Sequence, residues 1–257
     1  MPFYFQTLQE MERSPVPVAC HATDYPAGST TGVHAHPYHH QLIHALHGVM
    51  VVVSDGGQWI VPPTRGIWMP AGMRHQVRHV GEVRMRSLFV RPGAAQGLAE
   101  QAQVVGISPL LRELIRAAME VAVPYAPDSR DGRLMRLLLD ELHALPVLPM
   151  HLPKPADARL QRICDHLQRQ PDDVSTLADW AARLGVDPKT LQRLFARDTG
   201  MGFSRWRQQA RLLKALEMLA MGDKVIDVAL ALGYDSPGAF ATMFKRQFGQ
   251  TPTSFFR

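Results

Sequence analysis

The sequence has almost no cysteine: among 257 residues only Cys20 and Cys164 occur, far apart and in segments of different character. That excludes a disulfide framework or a CxxC site and fits a reducing compartment. Long hydrophobic runs are missing too, since no stretch approaches the roughly 18 apolar residues that a membrane-spanning helix needs. The opening Met1-Pro2-Phe3-Tyr4-Phe5-Gln6 lacks the basic and apolar blocks of an export signal. The expectation is a cytoplasmic chain with no membrane partner. Charge of one sign is not in great excess, with a net of +5, but it is unevenly placed: residues 157–257 hold 15 Lys and Arg against 11 Asp and Glu. A modest positive bias in one half suits a phosphate backbone, although charge by itself would be weak evidence. With 46% apolar residues the chain is long enough for two domains, each with its own core.

What the sequence does have is one pattern written twice. The first copy runs Leu177-Ala178-Asp179-Trp180-Ala181-Ala182-Arg183-Leu184-Gly185-Val186, then Pro188 opens a segment through Arg197 that Gly200 closes. The second runs Val225-Ile226-Asp227-Val228-Ala229-Leu230-Ala231-Leu232-Gly233-Tyr234, then Pro237 opens a segment through Arg246 that Gly249 closes. Gly185 matches Gly233 and Phe195 matches Phe244, so the offset slips by one residue within the turn. Each copy carries the signals of a helix-turn-helix: an apolar-periodic helix ending at a glycine able to take positive φ, a short turn, and a second helix with proline at its first position. Between the copies, Phe203 to Met221 would span roughly 28 Å as one helix. Recognition helices held about 34 Å apart would enter successive major grooves on one face of a duplex.

The residues Thr190-Leu191-Gln192-Arg193-Leu194-Phe195-Ala196-Arg197-Asp198-Thr199-Gly200 resemble a signature of the AraC/XylS family of bacterial transcription regulators. So do Ala229-x-x-x-Gly233-Tyr234, Phe240-x-x-x-Phe244-Lys245-x-x-Phe248-Gly249-Gln250-Thr251-Pro252 and the closing Phe255-Phe256-Arg257. The match covers about residues 158–257. It implies a non-enzymatic DNA-binding regulator, repressor or activator, with double-stranded DNA, a small-molecule effector, RNA polymerase and a second copy of the chain as candidate partners.

Residues 16–91 read as short β-branched strands: His40 to Leu46, Val49 to Ser54, Gln58 to Val61, Gly66 to Met69, Met73 to His79 and Val83 to Val90, punctuated by Asp55-Gly56-Gly57 and Pro62-Pro63. That spacing argues for a barrel or jelly roll. Nine of the 12 histidines precede residue 80. Gly28-x5-His34-x-His36-x4-Gln41-x6-Gly48 followed by Pro70-x-Gly72-x2-His75 resembles the two cupin motifs, with Gln41 where a metal-binding cupin has glutamate and His79 where asparagine is usual. Residues at i and i+2 of a strand share a face, so His34 and His36 are expected to point inward together and to meet His75. Three imidazoles suit Zn²⁺, Ni²⁺, Mn²⁺ or Fe²⁺, while the neutral Gln41 weakens the case for hard metals and non-haem iron. The plainer alternative is a polar pocket that needs no cofactor. His39, His40, His44 and His47 are assigned to solvent or strand surface. Trp59, Trp68 and Met69 are candidate pocket walls, with ordinary core as the alternative.

Residues 109–122 and 130–145 carry leucines at helical spacing, and the four prolines between Pro146 and Pro155 read as an extended linker. In the family such helices often mediate dimerisation; packing on the barrel is the alternative. The expected architecture is α+β: an N-terminal cupin-like β-barrel (1–97), a helical joint and linker (98–156), and an all-α double helix-turn-helix domain (157–257).

On the first recognition helix Leu191, Leu194 and Phe195 face inward, leaving Lys189, Gln192, Arg193 and Arg197 outward. Lys189, Gln192 and Arg193 also match the family's base-contacting positions, Arg being suited to guanine and Gln to adenine. Arg197 is assigned to phosphate. The second recognition helix offers short residues until Lys245 and Arg246, both assigned to phosphate, with Thr242 as a candidate contact to a thymine methyl. A metal-dependent cupin dioxygenase with a helical appendage, and a DNA-binding protein whose barrel only dimerises, are the competing readings; Gln41 speaks against the first.

Overall fold

The computed structural model describes residues 13–255, so the opening hexapeptide and the closing Phe256-Arg257 of the family signature lie outside the described residues. The chain forms two compact units, residues 1–54 with 59–151, and residues 55–58 with 152–257. The helices expected in a separate joint fall in the first of these. Among the described residues, no helix is long and apolar enough to cross a membrane.

The first unit is built on antiparallel strands β1 (Val18–Tyr25), β2 (His40–Ser54), β3 (Gly57–Val61), β4 (Arg65–Met69), β5 (His75–Val90), β6 (Gln103–Gly106) and β7 (Val147–Leu148). They order as β1-β5-β2-β4-β6-β7, with β3 pairing on β2. A further short strand, β8, covers His151–Pro153. Two differences from the sequence reading stand out. The segment Val18–Tyr25 is a strand that the pattern did not reveal, and four expected short strands are two long ones, β2 and β5. They bend without ending because the ladder shifts register around Ala45, His47 and Val49. Gly48 sits there at φ +78°, where a Cβ would collide with the Glu82 carbonyl and lie 2.8 Å from Val83 Cγ2.

Helices α1 (Pro109–Ala118) and α2 (Arg130–His143) close the outer face of the sheet. Ser108 and Ser129 cap them through hydrogen bonds accepted from Leu111 N and Gly132 N. Leu111, Leu114, Ile115, Met135, Leu138 and Leu142 bury against Val18, Leu42, Trp68, Leu88 and Val90. At roughly 1.5–3 kcal/mol per fully buried large apolar side chain, this layer holds the helices to the barrel. The buried faces of both helices thus pack on the barrel.

The second unit is helical: α3 (Ala158–Arg169), α4 (Leu177–Leu184), α5 (Pro188–Thr199), α6 (Phe203–Ala220), α7 (Val225–Ala231), α8 (Pro237–Phe248) and α9 (Pro252–Phe255). Thr176 and Asp179 form a capping box on α4, and Gly185 ends it at φ +63°. Asp187 accepts from Lys189 N and Thr190 N to start α5, and Ser236 accepts from Ala239 N to start α8, each with proline at the first turn. The 18-residue α6 is about 27 Å long. It buries Phe203, Trp206, Ala210, Leu212, Leu213, Ala215 and Leu216, so more than one face is covered. Phe195 meets Phe203 edge to face at 5.5 Å, and Trp206 Nε1 donates to the Pro153 carbonyl. Phe240, Phe244, Phe248 and Phe255 form a second aromatic group around α8.

Replacing Gly48 by Ala should destabilise the first unit by at least about 1–3 kcal/mol, the range for a strained backbone conformation, because the clash adds to the strain. Chemical denaturation followed by tryptophan fluorescence measures this; an unchanged midpoint would mean that the bulge relaxes freely.

Candidate nucleic-acid interface and ligand cavity

In the second unit the surface of α5 follows from its helical period. Leu191, Leu194 and Phe195 are buried, while Lys189, Gln192, Arg193 and Arg197 are exposed. The N-terminal end of α5, from which Lys189, Gln192 and Arg193 project, is the part that enters a major groove in helix-turn-helix proteins. Arg197 is not free: its Nε donates to Asp198 Oδ1 at 2.7 Å. The Asp198 carboxylate in turn accepts from the backbone of Ala156 and Asp157, anchoring the start of α3. On α8, Phe240, Met243 and Phe244 are buried and Thr242, Lys245 and Arg246 are exposed. The two helices thus present different chemistry, long hydrogen-bonding side chains on α5 and short ones on the first two turns of α8.

In the first unit, strand alternation sorts residues between two faces. Leu42, Leu88 and Val90 go to the helix-covered side, and Gln41, Ile43, Ser87 and Phe89 to the inner side. The inner side lines a cavity of about 700 Å³, within the range of small-molecule sites. Ile43, Val77, Met85 and Phe89 make it largely apolar, and His34, His36, His75 and Gln41 add polar groups. His34 and His75 are bridged through their backbones, His34 N to His75 O at 3.0 Å and the reverse at 2.9 Å.

That bridge brings the expected trio together. One ring nitrogen from each of His34, His36 and His75 lies within 4.8 Å of the others. Nitrogens bound to one ion at about 2.1 Å stand no more than about 4.2 Å apart, so small side-chain rotations complete a common site. The Nδ1 atoms of His34 and His75 donate to the carbonyls of Gly32 at 2.8 Å and Met73 at 3.0 Å. A carbonyl can only accept, so Nδ1 carries a proton in both rings and Nε2 is the atom left to a metal, the orientation that metal-ligating histidines commonly have. Gln41 Nε2 donates to Ser87 Oγ at 3.1 Å, and its buried Oε1 has no donor in reach among the described residues. The donor set therefore fits a borderline divalent cation and lacks the carboxylate that harder ions favour.

Burial, with smaller contributions from His34 and His36, holds His75 down to about 4 from its ordinary 6.5, against an opposing hydrogen bond to Met73. Burial also lowers His21, His40, His44 and His79.

Several sequence expectations need correction. His39 and His44 are buried, not on the surface: His44 lies on β2 between β4 and β5 and donates through Nδ1 to Arg65 O, and His39 lies edge-on to Phe89 at 6.5 Å. His40 is half-buried and stacks on Trp68, whereas His47 is exposed. Trp59, Trp68 and Met69 do not line the cavity. Trp68 pairs with Leu42 and so shares its outward face in the core, Trp59 stacks on His151 at 4.4 Å, and Met69 is buried. The walls that sequence reasoning missed, among them Tyr25, Met85 and Phe89, lie on β1 and β5, whose register only long-range pairing sets. His79 stacks on Tyr25 at 4.0 Å.

Comparison with known proteins agrees with this geometry. Residues 15–147 match the model of an AraC-like ligand binding domain and residues 180–257 that of a helix-turn-helix domain. The chain belongs to the AraC family of transcription regulators. It is similar to the HTH-type transcriptional regulator NimR of Escherichia coli K12, with 35% identity over 87% of this chain and 81% of that protein. Over 40% of its length it is 33% identical to the regulator RipA of Corynebacterium glutamicum, covering 31% of that protein. A structure of ToxT from Vibrio cholerae aligns over 94% of this chain and 98% of that one, with 9% identity and a TM-score of 0.39. The protein is accordingly a transcription regulator with a DNA-binding half and a ligand-binding half, in a family that is not one of enzymes, and the dioxygenase reading is set aside. Its helix-turn-helix domain implies DNA as a partner, and its ligand-binding domain implies a small-molecule effector.

The lowered histidines set the acid response of the AraC-like domain. Each binds a proton less readily folded than unfolded, so stability should fall as pH drops from about 6.5 towards 4, where the unfolded chain takes up protons that the fold refuses. Thermal melts across that window check it; a Tm that does not fall on acidification would contradict the assignment of neutral, buried imidazoles.

Proposed function

We propose that this regulator reads DNA mainly through α5. Gln192 and Arg193 contact base edges, assisted by Lys189, while α8 supplies Lys245 and Arg246 to phosphates and Thr242 to a thymine methyl. The observation that carries this reading is the contrast between the long exposed side chains of α5 and the Pro237-Gly238-Ala239 opening of α8. Arg197 adds a phosphate contact; its own side chain is exposed although that of Asp198 is buried, and the Nε bond to Asp198 need not be broken for its remaining N–H groups to donate. The cytoplasm, where DNA is found in bacteria, is the location this function requires.

The cavity of the first unit is the effector site in this reading, and the His34, His36 and His75 trio within it holds a divalent cation of the zinc, nickel, manganese or iron group, the nitrogen-rich set favouring the first two. DNA reading itself needs no cofactor. A second copy of the chain and RNA polymerase are the further partners. The exposed Leu110 and Leu137 on α1 and α2 support dimerisation through these helices.

Arg193→Ala should cost about 1–3 kcal/mol of specific affinity and relax one base position, whereas Lys245→Ala should weaken all sequences alike and flatten the salt dependence. Competition binding to selected and scrambled duplexes at several salt concentrations separates these outcomes, and the opposite pattern would reverse the assignment. Selection of binding sites by the wild type should return one information-rich half-site and one poor one; two equally informative half-sites would contradict the division of labour.

A further inference from the structure

The histidine trio carries no negative charge, and that has a chemical consequence. Three neutral imidazoles and the amide oxygen of Gln41 leave a doubly charged ion uncompensated, in a site where His75 is 2% and His36 6% exposed. A buried charge without a partner is costly. Among the described residues lining the cavity none is acidic, and the one formally charged residue, Arg13, is also positive. Gln41 lines the same cavity with its Nε2 donating to Ser87 Oγ, so the side chain at this position brings a dipole and no charge.

Resting on the cation reading above, we propose that the effector is an anion, a carboxylate or similar oxyanion with an apolar body, which binds the cation held by His34, His36 and His75 and supplies the charge that Gln41 does not. The volume of about 700 Å³ leaves room for the body of such a molecule beside the ion. Ile43, Val77, Met85 and Phe89 would cover that body, and Tyr25 and Tyr38 add phenol rings to the wall. Cation and anion bind cooperatively here: the ion gives the anion a strong point of attachment, and the anion neutralises the ion in a medium where charges interact more strongly than in water. A glutamate at position 41 would satisfy the ion internally and remove this coupling.

The test uses full-length protein stripped with chelator, titrated at neutral pH with Co²⁺ as a visible probe and with Zn²⁺ in competition, then with benzoate and its neutral counterpart benzamide. One equivalent of Co²⁺ should bind, more than tenfold more weakly in His75→Ala; His34→Ala, at a half-exposed ring, serves if the first variant does not fold. Benzoate should shift the Co²⁺ d–d absorption and bind at least tenfold more tightly with the cation than without, and benzamide should do neither. Gln41→Glu should hold the cation more tightly and lose the benzoate response. If the wild type takes up neither cation stoichiometrically, the cation reading fails and the anion proposal with it. If the cation binds but benzoate affinity is the same with and without it, or in Gln41→Glu, the anion proposal alone is overturned.

Discussion

The DNA-reading half depends on the burial of α6. Most helices on a protein surface keep one polar face, but this one hides Phe203, Trp206, Leu212, Leu213 and Leu216 together with the small Ala210 and Ala215. Phe195 of the first helix-turn-helix packs near its beginning. Arg211, further along it, donates to the carbonyls of Pro171 and Asp173 and lies against Gly233, the turn glycine of the second. A helix shared in this way turns two marginal three-helix pieces into one core. It also transmits position, because neither recognition helix can shift without repacking large side chains at near-crystalline density.

In the ligand-binding half the equivalent constraint is the pairing of β2 with β5. Two strands of 15 and 16 residues run the length of the sheet, and the irregularity between them shifts their pairing by one residue, from Gln41 with Phe89 and Ile43 with Ser87 to Val52 with Val77 and Ser54 with His75. A slip of one residue would exchange Gln41, Ile43, Ser87 and Phe89 for Leu42, Leu88 and Val90, placing the polar groups under α1 and α2 and the apolar ones in the cavity. The cavity chemistry and the attachment of the helices are thus two faces of one register.

Much of the helical half was legible because its signals are local. Proline at the helix starts and the glycines after each first helix act within one turn of chain, and the structure places helices α4, α5, α7 and α8 where those residues point. The trio His34, His36 and His75 was also legible, through a spacing that resembles a known motif. The long strands were not, because Gly48 and Gly81 look like terminators in sequence yet adopt positive φ inside a continuing ladder. Trp68 was misread since a tryptophan on a strand carries no mark of which face it takes. The buried His39 and His44 were misread for a related reason: imidazole is read as polar, and only the neighbours reveal that carbonyls and rings surround it.

Residue order by itself determined the helix-turn-helix repeats and the outward chemistry of α5, since each rests on contacts between residues a few positions apart. Tertiary structure decided which side of each strand faces the cavity, which histidines are buried, and that α1 and α2 pack on the barrel. Those outcomes depend on pairings between segments tens of residues distant, whose register is set by the joint burial of all of them and is written in no single stretch of chain.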